Sequence, residues 1–105
     1  MNNLIVQKYG GSSLATLEQI DFVTKKIKKR LNDVNKIVIV VSAMGNTTDE
    51  LVALGKNFSK DNKDVENLRD FDQLLSTGEI ISASLMSMSL RNNNVKAVSL
   101  TGQKA

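Results

Sequence analysis

Three short segments combine glycine with hydroxyl side chains, and the first and third also contain a charged residue that could act on a ligand. They are KYGGSS at 8–13, SAMGNTTD at 42–49 and STGE at 76–79. Paired glycines let backbone amides approach an anion closely, and the ammonium group of Lys8 adds a full positive charge. The first segment therefore has the residue types of a phosphate-binding loop, although the GxxxxGK[ST] pattern is absent.

Each segment also has an ordinary structural explanation. A Gly-Gly pair is most often only a turn, and Lys8 at a strand end can simply face solvent. Thr47 with Glu50 fits the capping box that begins a helix, and Ser76 with Glu79 fits the same pattern. In functional terms, the hydroxyls of the second segment could hold a phosphate or a polar substrate. Glu79 could receive a substrate ammonium group.

The residue types that are missing narrow the chemistry. The chain has 105 residues, with no cysteine and no histidine. These residues therefore supply no disulfide, thiolate nucleophile, serine–histidine–aspartate triad or imidazole metal site. Catalysis would use carboxylates, hydroxyls, lysine or arginine, backbone amides, or a hard ion such as magnesium. Aromatic residues make up only 4%, so a stacking platform for single-stranded nucleic acid is poorly supplied.

The chain is mildly basic, with 14 lysines and arginines against 11 acidic residues. Much of the excess lies in KKIKKR at 25–30, which could bind nucleic acid with a steep salt dependence. An apolar stripe at helical spacing runs through this segment and favours the solvated face of an amphipathic helix. Neither a membrane span nor a secretory signal is visible, so we expect a cytoplasmic protein without membrane or nucleic-acid partners.

The elements that must position the three segments alternate between strands and helices. In chain order, the predicted elements are a strand at 4–6, a helix at 16–31, a strand at 36–41, a helix from 47 to 58, a loop at 59–64, a helix at 65–75, a helix after 79 and a strand at 95–100. This order predicts an α/β fold with a mainly parallel sheet. Ligands bind beyond the carboxyl ends of such strands, so the first two segments could share one crevice.

Several local features sharpen these expectations. Thr16 with Gln19 predicts a capping box for the first helix. Ile37–Val41 is apolar at every position, so we expect this strand to be covered on both faces. The helix after Glu79 is apolar around most of its circumference, which predicts deep burial. Three strands leave the sheet incomplete, and we expect the 105 residues to begin a longer chain.

Taken in this order, the three segments resemble the signatures of the aspartokinase family. SLTG at 99–102 also fits, so the resemblance covers essentially the whole chain. The first two segments are specific in combination. Other enzymes of the amino-acid kinase fold share the lysine and Gly-Gly opening but not the SAMGxTTD block. The sequence departs from the family at Lys104, where glutamine is usual.

The resemblance implies a three-layer amino-acid kinase domain, with a mainly parallel sheet between helices on both faces. Residues 1–105 would be its incomplete N-terminal part, without the later nucleotide-binding region or the regulatory modules. The implied reaction is phosphorylation of the side-chain carboxylate of L-aspartate to 4-phospho-L-aspartate, with ATP and Mg²⁺. This is the first step towards lysine, threonine and methionine, and the full-length protein would be a homo-oligomer.

The resemblance also implies roles for particular residues. The implied nucleotide-binding residues are Lys8, Tyr9, Gly10, Gly11, Ser12 and Ser42. Lys8 would touch the transferring phosphates as the catalytic residue. Thr48 and Glu79 would hold aspartate, Glu79 through the substrate ammonium group. No metal-ligating side chain is implied.

The implied chemistry agrees with the composition. A carboxylate nucleophile is already ionised at pH 7, so no general base is needed. Phosphoryl transfer then depends on positioning and on neutralising negative charge. Because the later part of the family's domain is missing, we expect the 105-residue chain alone not to turn over. The alternatives are a standalone, non-catalytic nucleotide- or anion-binding module of the same fold and, less favoured, a nucleic-acid-binding domain based on 25–30.

Overall fold

The computed structural model describes residues 3–58 and 65–100. Its elements, in chain order, are β1 (Leu4–Tyr9), a 3-10 turn (Gly11–Leu14), α1 (Leu17–Arg30), β2 (Lys36–Val41), α2 (Thr47–Lys56) and α3 (Val65–Asn92). The loop predicted at 59–64 and the end of the SLTG motif, at 101–102, lie outside the described residues, as does Lys104.

The sheet consists of β1 and β2, which pair in parallel among the described residues. Leu4 lies opposite Lys36 at one end, and Tyr9 lies opposite Val41 at the other. α1 connects the two strands, so the pairing confirms the predicted α/β class. Because the strands are parallel, the segments that follow Tyr9 and Val41 leave the same edge of the sheet.

One face of the sheet packs on the core. Side chains alternate between half-buried and exposed along both strands. The covered face packs against a cluster of buried residues from the 3-10 turn, α1 and α3, namely Leu14, Ile20, Val23, Ile27, Met86 and Leu90. The opposite face exposes Leu4, Val6, Val38 and Val40. The cover predicted for both faces of β2 is therefore present on one face within the described part of the chain.

α1 begins and packs as its sequence predicts. Thr16 is the N-cap, and its hydroxyl oxygen accepts a hydrogen bond from the Gln19 amide at 3.2 Å. The basic residues lie on the solvent side, where Lys25 pairs with Asp21 at 2.8 Å. The last turn is basic as well, which complements the negative end of the helix dipole. These contacts support the solvated-face interpretation of the basic cluster.

A buried polar contact joins α1 to α3. Thr24 is fully buried, and its hydroxyl donates to the Ile20 carbonyl at 2.8 Å. The same hydroxyl oxygen lies 2.7 Å from the Ser89 hydroxyl oxygen on α3. Because the Thr24 proton is directed to Ile20, the Ser89 hydroxyl is the donor to Thr24, and the pair leaves no unpaired hydroxyl in the described interface.

α3 is one continuous helix, and the break predicted in its middle is wrong. Ser76 was expected to cap a new helix with Glu79. Instead the Ser76 hydroxyl donates to the Gln73 carbonyl at 2.7 Å, and the Thr77 hydroxyl donates to the Leu74 carbonyl at 2.6 Å. Hydroxyl side chains can bond back to the preceding turn of a helix, and here that arrangement replaces the predicted cap.

Two further local predictions are also wrong. The capping box expected from Thr47 and Glu50 does not form, because Asn46 is the N-cap and Thr47 is the first helical residue of α2. The deep burial expected around the second half of α3 is confined to one stripe, and Ile80 and Met88 are exposed. Only one side of this helix meets α1, α2 and the sheet within the described residues.

The strand predicted at 95–100 is not formed within the described residues. Its burial alternates as in a strand: Val95 and Ala97 contact the core, whereas Val98 and Leu100 are exposed. The Arg91 guanidinium donates to the Ala97 carbonyl at 3.1 Å. A strand requires a backbone partner, and the sequence pattern alone does not say whether that partner is present.

The packing of the core predicts that two leucines three residues apart contribute very differently to the free energy of unfolding. Leu14 is 1% exposed and Leu17 is 67% exposed. We expect Leu14→Ala to lower the free energy of unfolding by about 2–5 kcal/mol, because it leaves a cavity. The matched control Leu17→Ala should cost less than about 0.5 kcal/mol. Urea unfolding followed by circular dichroism measures both, and equal losses would contradict this packing.

Candidate functional site

The first two sequence segments lie side by side beyond the carboxyl ends of β1 and β2. The Ser42 amide donates to the Tyr9 carbonyl at 3.2 Å. Further along, the Gly45 amide donates to the Gly11 carbonyl at 3.1 Å. The two loops therefore form one connected surface, as the parallel sheet predicted.

The first loop turns sharply after Gly10. The Ser13 amide donates to the Gly10 carbonyl at 3.1 Å, and Leu14 anchors the 3-10 turn in the core. Gly11 is closely packed, because a β-carbon there would lie 3.1 Å from the Ala43 carbonyl oxygen. Gly10 differs: its φ of −87° and ψ of 178° suit any residue, and an added β-carbon would meet nothing within 4 Å.

The second loop depends on Gly45 for its conformation. Gly45 has a φ of +41°, which L-residues with a side chain rarely adopt. An added β-carbon would also lie 3.4 Å from the Ala15 α-carbon. Beyond Gly45, the Thr47 amide donates to the Met44 carbonyl at 2.8 Å, and α2 begins. The glycine therefore lets the loop turn from β2 into α2.

The third segment lies within α3 and packs against the second segment. Gly78 is buried, and a β-carbon added there would lie 2.9 Å from the Ala43 β-carbon and 3.2 Å from Thr47 Cγ2. Ala43 itself is buried between this helix and the first loop. The structure thus brings all three segments together around Ala43.

Tyr9 differs from the other residues that the resemblance implies. Its ring packs against the core, and its hydroxyl donates to Gln7 Oε1 at 3.0 Å. Burial raises the pKa of the Tyr9 phenol above its ordinary value. Lys8 lies on the opposite face of β1 and is exposed. Tyr9 can thus contribute its main chain to the loop surface, while its side chain belongs to the core.

The remaining implied side chains are accessible to a ligand. Lys8, Ser12, Thr48 and Glu79 are exposed, and Ser42 is half-buried. Within 3–58 and 65–100, neither the Lys8 ammonium nor the Glu79 carboxylate has an ion-pair partner. Both charges can therefore act on a bound molecule without first breaking a salt bridge in this part of the chain.

Sequence reasoning missed Ala43, a small apolar residue with no chemistry of its own. It also interpreted Gly78 as part of a helix boundary. A signal was present in the sequence, since a glycine within a helical apolar pattern can mark a close approach to another element. The part of the chain that the structure describes contains no cluster of acidic side chains able to hold a metal ion. It also contains no helix long and apolar enough to span a membrane.

Comparison with known proteins identifies the family to which this chain belongs. Residues 3–105 match the amino acid kinase family, so the chain belongs to that family. It is 47% identical over 102 residues to the aspartokinase of Geobacillus stearothermophilus. It is 43% identical over 102 residues to aspartokinase 2 of Bacillus subtilis. A crystal structure of aspartate kinase from Synechocystis matches it with a TM-score of 0.86 at 44% identity.

These matches cover nearly all of this chain but a small part of each relative. The two bacterial alignments span 97% of this chain and 24% of each relative. The structural match covers 95% of this chain and 16% of the Synechocystis chain. The chain therefore spans about a quarter of the length of the curated relatives it matches. Together the matches confirm the aspartokinase resemblance and the predicted fold class.

The backbone conformations of the two loops predict that Gly45 and Gly10 tolerate substitution differently. We expect Gly45→Ala to lower the free energy of unfolding by about 1–2 kcal/mol, because alanine disfavours a positive φ. Gly45→Asn should cost less, because asparagine tolerates that region better. Gly10→Ala should not destabilise the protein, because its backbone conformation is open to alanine. Thermal unfolding compares the three variants, and a stable Gly45→Ala would contradict the loop conformation.

Proposed function

We propose that this chain forms part of an aspartate kinase that transfers a phosphoryl group from ATP to the side-chain carboxylate of L-aspartate. The observation that carries the proposal is the convergence of the three segments around Ala43. Parallel pairing brings the first two segments to one edge of the sheet, and the Gly78 contact adds the third, so the residues that resemble the family's signatures lie close enough to serve one site. The order of the segments also supports assigning residues 1–105 to the N-terminal part of the kinase domain.

We propose that the nucleotide phosphates lie against the first loop, with Lys8 close to the transferring group. Gly10 supports this location, because the described fold does not need glycine there. A requirement for glycine at this position would therefore come from a ligand that approaches the backbone closely. Gly11, Ser12 and Ser42 lie on the same connected loop surface and can supply amide and hydroxyl donors.

We propose that aspartate binds on the side of α2 and α3, through Thr48 and Glu79. Thr48 is exposed in the first turn of α2, and Glu79 is exposed and directly follows the Gly78 contact. A carboxylate is the appropriate partner for the substrate ammonium group, and a hydroxyl can donate to a substrate oxygen. Glu79 would thus orient aspartate without taking part in bond making.

The transfer requires little acid–base chemistry. The aspartate carboxylate is ionised near pH 7 and attacks the γ-phosphorus while the bond to the bridging oxygen of ADP breaks. Lys8 would stabilise negative charge on the transferring phosphoryl group. The described residues offer no ligand cluster for Mg²⁺, so no step here is assigned to the ion.

The chain spans only about a quarter of the length of its relatives, and this favours two further proposals. We propose that the 105 residues alone do not catalyse turnover, because they span about a quarter of the relatives. If the cell makes only this chain, the second candidate function is a non-catalytic nucleotide- or anion-binding module of the same fold. A cytoplasmic location and a homo-oligomeric full-length protein also stay proposals that rest on the resemblance.

The activity is tested on the native protein that carries this sequence. With ATP, Mg²⁺ and L-aspartate, we expect an acyl phosphate that hydroxylamine traps as the aspartyl hydroxamate, together with one ADP for each hydroxamate. L-Glutamate serves as the matched control substrate and should give little product. Trapping with glutamate but not with aspartate would contradict the substrate assignment. ATP binding without transfer to any amino acid would favour the non-catalytic module.

The two charged side chains should give different kinetic defects. In the native protein, Lys8→Ala should lower kcat by about 10²–10³-fold, because a charge that stabilises the transition state is lost. Glu79→Ala should raise the KM for aspartate by about 10–100-fold, because a hydrogen bond to a charged group is lost. Steady-state kinetics with each substrate varied separates these effects.

Lys36→Ala is the matched control for Lys8, because Lys36 is an exposed strand lysine at the opposite end of the sheet. Its kinetic constants should equal those of the unmodified protein. If Glu79→Ala left the KM for aspartate unchanged, Glu79 would not be the ammonium ligand. If Lys8→Ala and Lys36→Ala behaved alike, Lys8 would have no special role in transfer.

A further inference from the structure

We infer that Gly78 and Ala43 act as a positioning pair that sets how closely the aspartate-binding helix approaches the nucleotide-binding loops. This inference rests on the proposed function and adds two residues to its machinery that touch neither substrate. Both are positioning residues rather than catalytic residues. They act through the segments that carry Glu79 and Lys8.

Ala43 is the neighbour that the first and third segments share. Its carbonyl oxygen would lie 3.1 Å from a β-carbon at Gly11 in the first loop. Its own β-carbon would lie 2.9 Å from a β-carbon at Gly78 in α3. Ala43 is 5% exposed, so no water layer separates these surfaces. The separation between the first loop and α3 is therefore set by one alanine and the two glycines against it.

The atoms around Gly78 have little freedom to make room for a side chain. The Ala43 methyl group has no rotamer to change, and its chain segment is hydrogen-bonded on both sides to the first loop. Thr47 Cγ2, at 3.2 Å, belongs to a β-branched side chain that is stiff within a helix. A β-carbon on residue 78 must therefore displace α3 away from the second loop.

Glycine is also unfavourable at this place for the helix itself. Within a helix interior, glycine is about 1 kcal/mol less favourable than alanine. α3 nevertheless continues through Gly78 for its whole length, Val65–Asn92. The tight contact with Ala43 explains why glycine suits this position, because any other residue would enlarge the gap between helix and loop.

A displacement of α3 would change catalysis because Glu79 is the next residue of the same rigid helix. If Glu79 holds aspartate, moving the helix moves the attacking carboxylate relative to the phosphates at the first loop. Phosphoryl transfer depends on placing the attacking and leaving oxygens in line. A shift on the order of 1 Å can lower the rate about 10²-fold.

A second glycine in the same helix pair provides the control. A β-carbon added at Gly55 on α2 would lie 2.7 Å from Phe71 Cε2 on α3. This contact also joins α2 to α3, but it lies near the other end of α2, away from Ala43. Three atoms of one phenyl ring are crowded, so the methyl group of Gly55→Ala presses on a side chain of α3 and not on a residue of the first or second loop.

The experiment moves one methyl group across the contact in the native protein. Gly78→Ala should lower kcat/KM for aspartate about 10²-fold, and the control Gly55→Ala should change it less than about 3-fold. Adding Ala43→Gly to Gly78→Ala returns the methyl count of the contact to its original value. The double variant should regain at least about tenfold in kcat/KM, a rescue that general destabilisation would not produce.

Three results would overturn the inference: unchanged kinetics of Gly78→Ala, an equal loss in Gly55→Ala, or a double variant no more active than Gly78→Ala. If Gly78→Ala does not fold, Ala43→Gly alone keeps the test open. Removing that methyl loosens the contact and should raise the KM for aspartate several-fold, and an unchanged KM would overturn the inference.

A failure of the proposed function can be distinguished from a failure of the positioning pair. If the unmodified protein transfers no phosphate to aspartate, the proposed function fails, and the unmodified protein, Gly78→Ala and the double variant are compared by their Tm values. The positioning pair then still predicts that Ala43→Gly recovers at least half of the Tm loss caused by Gly78→Ala. No recovery would overturn the pair as well.

Discussion

The contact of Ala43 with two glycine-containing segments is the constraint on which the rest of the site depends. The Gly11 loop packs on its carbonyl oxygen, and α3 packs on its methyl group through Gly78. Parallel pairing of β1 and β2 delivers the first two segments to the same edge of the sheet. The third segment arrives from a distant part of the chain, and its position depends on how closely α3 can approach.

The sequence predicted most of what local physics controls. The two strands, the capping of α1 by Thr16 and the shared edge of the loops follow from apolar runs, capping chemistry and parallel topology. The two wrong capping predictions differ in cause: α2 begins one residue earlier than a cap at Thr47 would allow, whereas Ser76 lies inside a helix that continues. Whether a hydroxyl caps a new helix or bonds back to the preceding turn depends on whether the chain can continue. At Ser76 and Thr77 the chain continues as a helix, and both hydroxyls bond back to it.

Features that depend on other parts of the fold were less predictable. The apolar strand β2 and the apolar second half of α3 both indicated cover on all sides, and the described residues supply it on one side. Both patterns correctly identify apolar surface, but they do not identify the element that packs against that surface. The chain spans about a quarter of its curated relatives, and a residue pattern alone does not state which segment completes a layer. The same reasoning explains why 95–100 shows alternating burial without strand pairing.

The candidate site was predictable as a set of residue types, while its geometry was not. Lys8, the paired glycines and Glu79 could be selected because phosphate and ammonium groups need such partners. The buried orientation of Tyr9 follows from strand alternation relative to Lys8, once the covered face of β1 is known. The role of Ala43 required the structure, because a small apolar residue carries no chemical signature and acts only through what packs against it.

If the three segments form one ligand site, bound substrates should change amide hydrogen exchange in all three segments of the native protein. Exchange is compared with and without ATP, Mg²⁺ and L-aspartate. We expect peptides covering 8–13, 42–49 and 76–79 to gain protection together, while the basic segment at 25–30 is unchanged. Protection confined to 25–30, or protection of one segment without the others, would contradict a single site.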